Sequence, residues 1–265
     1  MKRFFRDIVK YREYAVYSAK SSLKVEVANS YLNWLWWILD PLLLMLVYMF
    51  IGQVVFKSKI EAFPVFVFIG LTLWNFFNKN VMSSIKLIRG KKTVISKVYM
   101  PKFVLIFSKM VDNFIKMMIC LGIVFVMMPI WNCKFTWQLL WLIPILLTLI
   151  VFTFGCSTIC MHFGVFIDDL YNVVQVALRL VFYMTGIFYS IEGRLNKTHP
   201  YWGKVLSKYN PMALLINSAR KVILTHNFGL VDMKYLAAWF VIGCILSVIG
   251  VNLVYKYENG YVKVI

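Results

Sequence analysis

Acidic residues are scarce in this chain of 265 residues, which has 11 Asp and Glu against 29 Lys and Arg and a formal net charge of +18. In a soluble protein this excess would suggest nucleic-acid binding. However, 61% of the residues are hydrophobic, whereas a soluble domain has about 45–50%. Basic residues at the ends of membrane spans fix orientation and contact anionic lipid. We therefore expect an integral membrane protein that contacts membrane lipids and does not bind nucleic acid.

Sequence patterns typical of catalysis, metal binding and ATP binding are also missing. The five cysteines form no CxxC pair, and the three histidines are far apart and form no HExxH pair. No glycine-rich GxxxxGK[ST] loop occurs, so this chain cannot hold ATP phosphates by that route. We predict no catalytic residue, no metal site and no cofactor bound by the chain itself.

Six hydrophobic runs are interpreted as transmembrane helices in a single all-α domain that covers residues 1–265. Residues 1–33 alternate basic and apolar side chains at helical spacing, which predicts one or two amphipathic helices on the membrane surface. The predicted spans are residues 34–56, 63–77, 103–131, 137–165, 171–191 and 235–255.

An even number of spans places both termini on the same side of the membrane. Lys and Arg are more numerous in the segments that then accompany the termini, so the positive-inside rule favours cytoplasmic termini. Of the two long polar connections, residues 85–102 would then be cytoplasmic and residues 192–234 would form an outer loop.

Residues 85–102, IKLIRGKKTVISKVYMPK, combine basic and apolar side chains without an acid. This pattern predicts a short helix on the cytoplasmic surface, with one side on the membrane and the other available to a soluble partner. The residues predicted to couple to that partner are Arg89, Lys91, Lys92, Lys97, Val98, Tyr99 and Pro101.

Charged residues inside the predicted spans have to face protein or water, because an ionised side chain in lipid is costly. Asp40 and Arg179 are two examples. Lys109, Asp112 and Lys116 share one face of the third span. These three residues form either a local charge cluster or the polar lining of a pathway's inner mouth.

The outer loop contains a further amphipathic segment that begins at Asn210-Pro211 and includes Arg220. It is too short and too charged to cross a bilayer. We expect a helix that either re-enters the membrane or lies on its outer face.

Five stretches occur in the chain in a fixed order. They are Leu32-Asn33-Trp34-Leu35-Trp36 with Pro41-Leu42-Leu43; Gly70-Leu71 with Trp74 and Phe77; Val94 to Pro101; Asp168-Asp169; and Asn210-Pro211 with Arg220. Together, over residues 20–225, they resemble the membrane subunits of ABC-2 type transporters, particularly bacterial exporters of polysaccharide. The sequence departs from the family at Ile167, where the turn usually has arginine.

The resemblance implies a multi-pass protein of the bacterial cytoplasmic membrane that is a transport subunit and not an enzyme. It implies a homodimer with two copies of a separate ABC ATPase, which would use ATP and Mg²⁺. The segment that contains Val94–Pro101 would dock on this ATPase, and the N-terminal helix would frame the inner mouth of the pathway. The implied cargo is a lipid-linked glycan such as O-antigen, capsule or teichoic acid.

A sugar polymer that passes through protein can stack on flat aromatic rings. Aromatic residues near span ends also form interface belts, so not every ring contributes to a pathway. We favour residues on the first and fifth spans. The candidate pathway residues are Trp34, Trp36, Trp37, Asp40, Tyr48, Arg179 and Tyr183.

Three other functions remain open at this stage. The chain could be an ABC-2 permease for another amphiphile, such as a drug or a lipid. It could be a membrane enzyme that transfers a lipid-linked group, although this would require acids or histidines that converge at one membrane face. Asp40, Asp112 and Asp168-Asp169 are scattered instead. It could also be a structural scaffold.

Overall fold

The computed structural model describes residues 2–28, 33–55, 57, 60–92, 101–191, 193 and 200–264. Over these ranges the chain contains helices and no β-strand, so the all-α prediction is confirmed. The α-helices are α1 (Lys2–Ala28), α2 (Asn33–Phe50), α3 (Phe63–Ile85), α4 (Leu87–Gly90), α5 (Phe103–Ile130), α6 (Leu142–Phe166), α7 (Leu170–Met184), α8 (Pro200–Tyr209), α9 (Pro211–Arg220) and α10 (Leu230–Val264).

The N-terminal region forms one helix of 27 residues, α1, where the sequence left one or two open. Its small residues Ala15 and Ala19 are buried, while Tyr17 on another face is 74% exposed. The buried face packs on α5, where the ring centroids of Phe4 and Phe103 are 5.0 Å apart. The alternation of polar and apolar residues therefore matches a helix with one packed face. The placement of α1 on the membrane surface stays a prediction.

Helix α3 is the central element of the fold. Its first part, from Phe63 to Trp74, is buried throughout, and it packs against α2, α5, α6, α7 and α9. The sequence predicted a span that ended at residue 77, but α3 continues to Ile85. The buried polar residues in this extension are hydrogen-bonded to protein. Asn80 donates to the Phe76 carbonyl oxygen at 2.7 Å, and Asn113 donates to Asn80 Oδ1 at 2.9 Å.

Helices α6 and α10 pack closely because glycines lie at their contact. A Cβ on Gly155 would lie 2.8 Å from Leu246 Cβ, and one on Gly250 would lie 2.8 Å from Thr158 Cβ. Small residues allow this close backbone approach, as is common between membrane helices. Helix α10 begins before and ends after the predicted span 235–255, and its C-terminal part buries Tyr261 against His162.

Four helical segments within the described ranges are long and apolar enough to cross a membrane: Trp34–Val55, Phe103–Ile130, Trp137–Phe166 and Leu230–Glu258. They correspond to four of the six predicted spans. The other two have different properties. Helix α3 has 23 residues but carries polar residues in its second half. Helix α7 has 15 residues, and at 1.5 Å per residue it is about 22 Å long.

The fifth span was predicted to cover residues 171–191, and its predicted end lies beyond the end of the helix. Helix α7 ends at Met184. The chain then turns at Gly186, whose φ of +71° suits glycine and few other residues. Thr185 donates its hydroxyl to the Val181 carbonyl oxygen at 2.5 Å, which closes the last turn.

The segment that follows α3 contains the four-residue helix α4 before the described range stops at residue 92. Ile88 is fully buried. Gly164 of α6 lies so close that a Cβ there would be 2.3 Å from the Ile85 carbonyl oxygen. The beginning of the 85–102 segment is therefore packed directly on the C-terminal end of α6.

Candidate functional site

A groove of about 900 Å³ lies between α3, α5 and α7. Its entrance includes Glu26 from the end of α1, and Tyr48 of α2 lies on its wall. Because α7 lines it from Tyr171 to Tyr183, the groove extends along about 18 Å of helix. The lining residues are Glu26, Tyr48, Trp74, Asn78, Lys79, Met82, Ser83, Lys86, Lys109, Asn113, Lys116, Tyr171, Gln175, Leu178, Arg179, Phe182 and Tyr183.

Each wall of the groove is one stripe of a helix. Lining residues recur every three or four positions on α3, α5 and α7, which is the spacing of neighbours on one helix face. The stripes are Trp74, Asn78, Lys79, Met82 and Ser83 on α3, with Lys86 directly after its end; Lys109, Asn113 and Lys116 on α5; and Tyr171, Gln175, Leu178, Arg179, Phe182 and Tyr183 on α7.

Positive charge dominates the lining, and some of it is not neutralised. In the described part of the chain, Glu26 is the single acid that lines the groove, against five cations, Lys79, Lys86, Lys109, Lys116 and Arg179. Among residues that the structure describes, Lys79 and Arg179 have no carboxylate within ion-pair distance. Charges of one sign in a concave, partly apolar site concentrate ligands of the opposite sign. The groove can therefore attract an anionic group.

Two of the lysines are held in place by acids. Asp112 is fully buried, with its carboxylate oxygens 2.5 Å from Lys109 Nζ and 3.0 Å from Lys116 Nζ. Lys116 Nζ also donates to Glu26 at 2.7 Å, which ties α5 to the end of α1. Lys109, Asp112 and Lys116 therefore form an ion-paired charge cluster, and both lysines also line the groove. A place at the inner mouth of a pathway stays a prediction.

Aromatic residues form a cluster at one end of the groove. The rings of Tyr48 and Phe188 stack with centroids 5.4 Å apart and planes within 8°. The Phe182 centroid lies 5.9 Å from that of Tyr48 and 5.5 Å from that of Trp74. Tyr183 contacts Phe188 edge-on at 6.2 Å. We call Tyr48, Trp74, Phe182, Tyr183 and Phe188 the aromatic cluster. Trp74 is buried and one face of Tyr48 is covered by Phe188, whereas Tyr183 is 56% exposed and can stack with a ring-shaped ligand.

The structure brings some of the predicted pathway residues together and not others. Tyr48, Arg179 and Tyr183 all line the groove. Trp37 lies beside it, where its Nε1 donates to Glu26 at 3.2 Å. The remaining three do not line the groove. Trp34 and Trp36 are about half exposed on the outer side of α2, at 49% and 51%, and Asp40 is also exposed.

The basic residues of α3 were not predicted as site residues. Lys79 and Lys86 both lie beyond residue 77, where the second span was predicted to end. A signal for them exists in the sequence. Asn75, Lys79, Ser83 and Lys86 follow one another at intervals of three and four residues, which indicates a polar stripe on a continuing helix.

The residues predicted to couple to a partner lie in several environments. Arg89 pairs with Asp168 in the turn between α6 and α7, and it donates to the Val165 carbonyl oxygen at 2.9 Å. Lys91 and Lys92 are exposed at the end of the described segment, and Pro101 is buried just before α5. The remaining three, Lys97, Val98 and Tyr99, are outside the described residues.

The 85–102 segment also contacts the groove wall itself. Lys86 Nζ lies 3.8 Å from the centroid of the Tyr171 ring, a cation–π contact with the first turn of α7. Together with the Arg89–Asp168 pair, this contact connects the segment to the helix that carries Arg179 and Tyr183. A displacement of the segment would therefore act on one wall of the groove.

The predicted outer-loop helix is present as α9. Asn210 caps it by accepting hydrogen bonds from the Met212 and Ala213 amides at 3.1 and 3.3 Å, and Pro211 occupies the first turn. Arg220 is buried at the other end. The position of α9 relative to the membrane stays a prediction.

Arg220 joins three parts of the chain. Its guanidinium donates to the carbonyl oxygens of Phe66, Gly186 and Ile187 at 3.0, 2.9 and 2.6 Å. It also lies 3.4 Å from the centroid of the Phe66 ring. Its planar set of donors satisfies carbonyl groups of α3 and of the turn after α7 at once. Arg220 therefore has a structural role that the sequence motif did not specify.

Comparison with known proteins identifies the family. The ABC-2 type transporter family matches residues 17–224, which is most of the chain. The chain belongs to this family. It is 26% identical over 244 residues to an O-antigen export system permease protein RfbA of Klebsiella pneumoniae, covering 92% of this chain and 91% of that one. It is 27% identical over 226 residues to the protein of the same name from Myxococcus xanthus, covering 85% and 86%.

Membership of the ABC-2 type transporter family establishes the protein as a membrane-embedded transport subunit and not an enzyme. Such permeases work with an ABC ATPase, so membership also implies that partner. Within the described ranges, no group of three or more His, Cys, Asp or Glu side chains could hold a metal ion.

The turn between α6 and α7 of this ABC-2 permease contains an ion pair at Asp168. The turn after α6 carries Ile167 in place of the usual arginine, and Ile167 is 46% exposed. The cation beside Asp168 comes instead from Arg89, on the segment that precedes α5. The acid of the turn therefore has a basic partner from another segment of the chain.

Proposed function

We propose that this permease is the transmembrane subunit of an ATP-driven exporter that moves a lipid-linked polysaccharide across the bacterial cytoplasmic membrane. The observation that carries the proposal is the combination of Lys79 and Arg179, which lack acidic partners among the described residues, with the aromatic cluster in one groove. A lipid-linked glycan joins an anionic phosphate to sugar rings. The cations suit the phosphate, and the aromatic faces suit the rings.

The names of the relatives support this cargo class, since both are called O-antigen export system permeases. O-antigen, capsule and teichoic acid precursors share the chemistry of a phosphate and a sugar chain. Another anionic amphiphile, such as a lipid or a drug, would use the same cations but would not need several flat rings in sequence.

The proposed assembly is a homodimer of permeases with two copies of the ABC ATPase, which use the ATP and Mg²⁺. Apolar residues that are exposed on one chain support a second copy beside the groove. They lie on α2 and α7, the helices that flank the groove, and include Leu43, Val47, Phe50, Val173, Val176 and Leu180. With α3 and α7 added to the four apolar segments, six spans would place both termini in the cytoplasm.

The proposed coupling route begins at residues 85–102, which would dock on the ATPase from the cytoplasmic side. Arg89 would transmit a movement of this segment to the turn at Asp168, and Lys86 would transmit it to Tyr171. Both contacts act on α7, which carries Arg179 and Tyr183. ATP binding or hydrolysis would then change the width of the groove.

The test is complementation in the host with simultaneous isolation of the complex. The gene is deleted, and surface glycan and accumulated lipid-linked glycan are measured with and without a tagged copy. We expect deletion to move glycan from the surface to an intracellular lipid-linked pool, with an ABC ATPase isolated in equal amount with the tagged chain. Unchanged surface glycan, with accumulation of a different amphiphile, would contradict the polysaccharide assignment and favour the other permease class.

A further inference from the structure

A second concave site lies at the end of the protein opposite the part of the groove that Lys86 lines. It is a cup of about 690 Å³, within the roughly 300–1,000 Å³ of typical small-molecule sites. Phe66 near the start of α3, Trp131 after α5 and Ser190 after α7 all line it. Lys86, near the start of the groove, lies about 30 Å along the helix from Phe66. The cup is therefore formed by the loops at the other end of the same helices.

The rim of the cup is fixed by contacts between these loops. Thr136 Oγ1 and His226 Nδ1 lie 2.7 Å apart and join the loop after α5 to the end of the outer-loop helical segment. The rings of Trp141 and Phe228 pack with centroids 5.5 Å apart beside this contact. Beneath the rim, Arg220 is fixed by its three carbonyl acceptors. These contacts hold the elements that form the cup in fixed positions relative to one another.

Three amide side chains contribute to the polar lining of the cup. Asn132, Asn217 and Asn227 all line it. Within the part of the chain that the structure describes, none of these three uses its side chain in a hydrogen bond. The buried amides of Asn80 and Asn113 are bonded to protein instead. Each free amide offers two donors and an acceptor, and the hydroxyls of Ser190 and Thr225 are nearby.

The charges of the cup are largely compensated, in contrast to those of the groove. Lys221 Nζ lies 3.0 Å from Asp232 Oδ1. The Arg220 guanidinium is enclosed by carbonyl oxygens and the Phe66 ring. The remaining charges are one base and one acid, Lys134 and Glu61. An anion therefore gains little here, whereas an uncharged ligand with many hydroxyl groups finds both donors and acceptors.

We propose that this cup binds an uncharged stretch of the glycan on the outer side of the membrane. Amides and hydroxyls would bond to the sugar hydroxyls, and the Trp131 ring, 39% exposed, would stack on a sugar face. The inference rests on the proposed function and adds that two parts of the cargo bind at two different sites. The groove holds the phosphate end, and the cup holds sugar that has already crossed the aromatic cluster.

Cys133 provides a probe, because it lines the cup and is a free thiol. In a variant whose other cysteines are changed to alanine (Cys120, Cys156, Cys160 and Cys244), intact cells that contain the whole exporter are treated with a membrane-impermeant maleimide. The labelling rate of Cys133 is compared between cells that make the glycan and cells in which its synthesis is blocked. Surface glycan is measured in the same cultures.

We expect labelling from outside, and we expect glycan synthesis to slow it about threefold, as an occupancy near two thirds would give. The double variant Asn217→Ala with Asn227→Ala should abolish the protection. The control Asn252→Ala, at an exposed position of α10 far along the chain, should retain it.

The outcomes separate this proposal from the proposed function. Equal labelling with and without glycan, while export continues, overturns the cup and leaves the exporter intact. Absence of labelling from outside, while the same thiol is labelled in opened membranes, overturns the outer placement. Surface glycan that does not depend on the chain overturns both proposals.

Discussion

Arg89 and Asp168 form an ion pair that joins the segment after α3 to the turn between α6 and α7. The Arg89 guanidinium also donates to the Val165 carbonyl oxygen at 2.9 Å, so it holds the end of α6 as well. The two side chains are 42% and 83% exposed. An exposed pair contributes only about 0–1 kcal/mol to stability. Its importance is therefore positional, because it links the predicted ATPase-docking segment to the helix that forms a groove wall.

The pair can be tested by exchanging its charges. Arg89→Asp and Asp168→Arg should each reduce glycan export by about fivefold or more, as the loss of a coupling energy near 1 kcal/mol would give. The double exchange should restore much of the export. Asp169→Arg is the matched control, since Asp169 is also exposed and pairs with no cation among the described residues. If the double exchange exported no more glycan than either single variant, the Arg89–Asp168 pair would not be part of the coupling route.

Gly164 supports a second prediction, because its packing leaves no space for a side chain. A Cβ there would lie 2.3 Å from the Ile85 carbonyl oxygen and 2.9 Å from Ile85 Cα, so backbone would have to move. We expect Gly164→Ala to lower the free energy of unfolding by about 1–3 kcal/mol. The change is measured as thermal stability in mild detergent, with the amount of monodisperse protein as the readout.

Gly122→Ala is the control for Gly164→Ala. Gly122 is also inside a long helix, α5, and a Cβ there meets no atom within 4 Å. Alanine favours a helix over glycine by about 1 kcal/mol, so this variant should be at least as stable as the parent chain. If the two variants had the same stability, the contact between α3 and α6 would be looser than described.

Arg220 supports a third prediction, because lysine cannot reproduce its planar set of donors. Arg220→Lys would leave at least one of three buried carbonyl oxygens without a donor. Each hydrogen bond to a charged group contributes about 1.5–3 kcal/mol, so we expect a loss of at least that size. Arg12→Lys, on an exposed position of α1, should change the melting temperature little. Equal melting temperatures for both variants would contradict the structural role of Arg220.

Cys133 gives a prediction on pH. Burial raises the pKa of its thiol above the usual value, and the reactive form is the thiolate. At neutral pH a smaller fraction is ionised, so maleimide labelling should be slower than for an exposed thiol and should continue to increase at higher pH. The comparison thiol is Lys134→Cys in a Cys133→Ser chain, because Lys134 is exposed next to it. Superimposable pH profiles would show that Cys133 is not buried.

Much of the fold follows from hydropathy, and the part that does not has a physical reason. The four apolar segments were predicted within a few residues, because each presents apolar side chains over a bilayer's width. The second half of α3 was missed, since Asn78, Lys79 and Asn80 lower the local hydropathy although they face protein or the groove. The end of α7 was misplaced because an apolar stretch continues past the turn at Gly186.

The candidate site was predictable in part. Arg179 and Tyr183 were predicted as a charge inside a span and an aromatic ring on the fifth span, and both line the groove. Lys79 and Lys86 could have been found from their helical spacing. The pairing of Arg89 with Asp168 could not, because it depends on how two segments far apart in the sequence pack together. Trp34 and Trp36 were selected as aromatic residues of the first span, and both are about half exposed on α2.

The measurement that tests the central claim most directly is transport in liposomes by the permease reconstituted with its ATPase. Lipid-linked glycan is supplied on the ATPase side, and its appearance on the other side is followed by a glycan-specific lectin. We predict that Lys79→Gln with Arg179→Gln reduces transport about tenfold or more, with assembly unchanged, because each lost charge contact costs about 1.5–3 kcal/mol. Lys234→Gln with Lys256→Gln removes the same charge at exposed positions outside the groove and should have little effect. Equal transport by the two double variants would contradict a pathway through the groove.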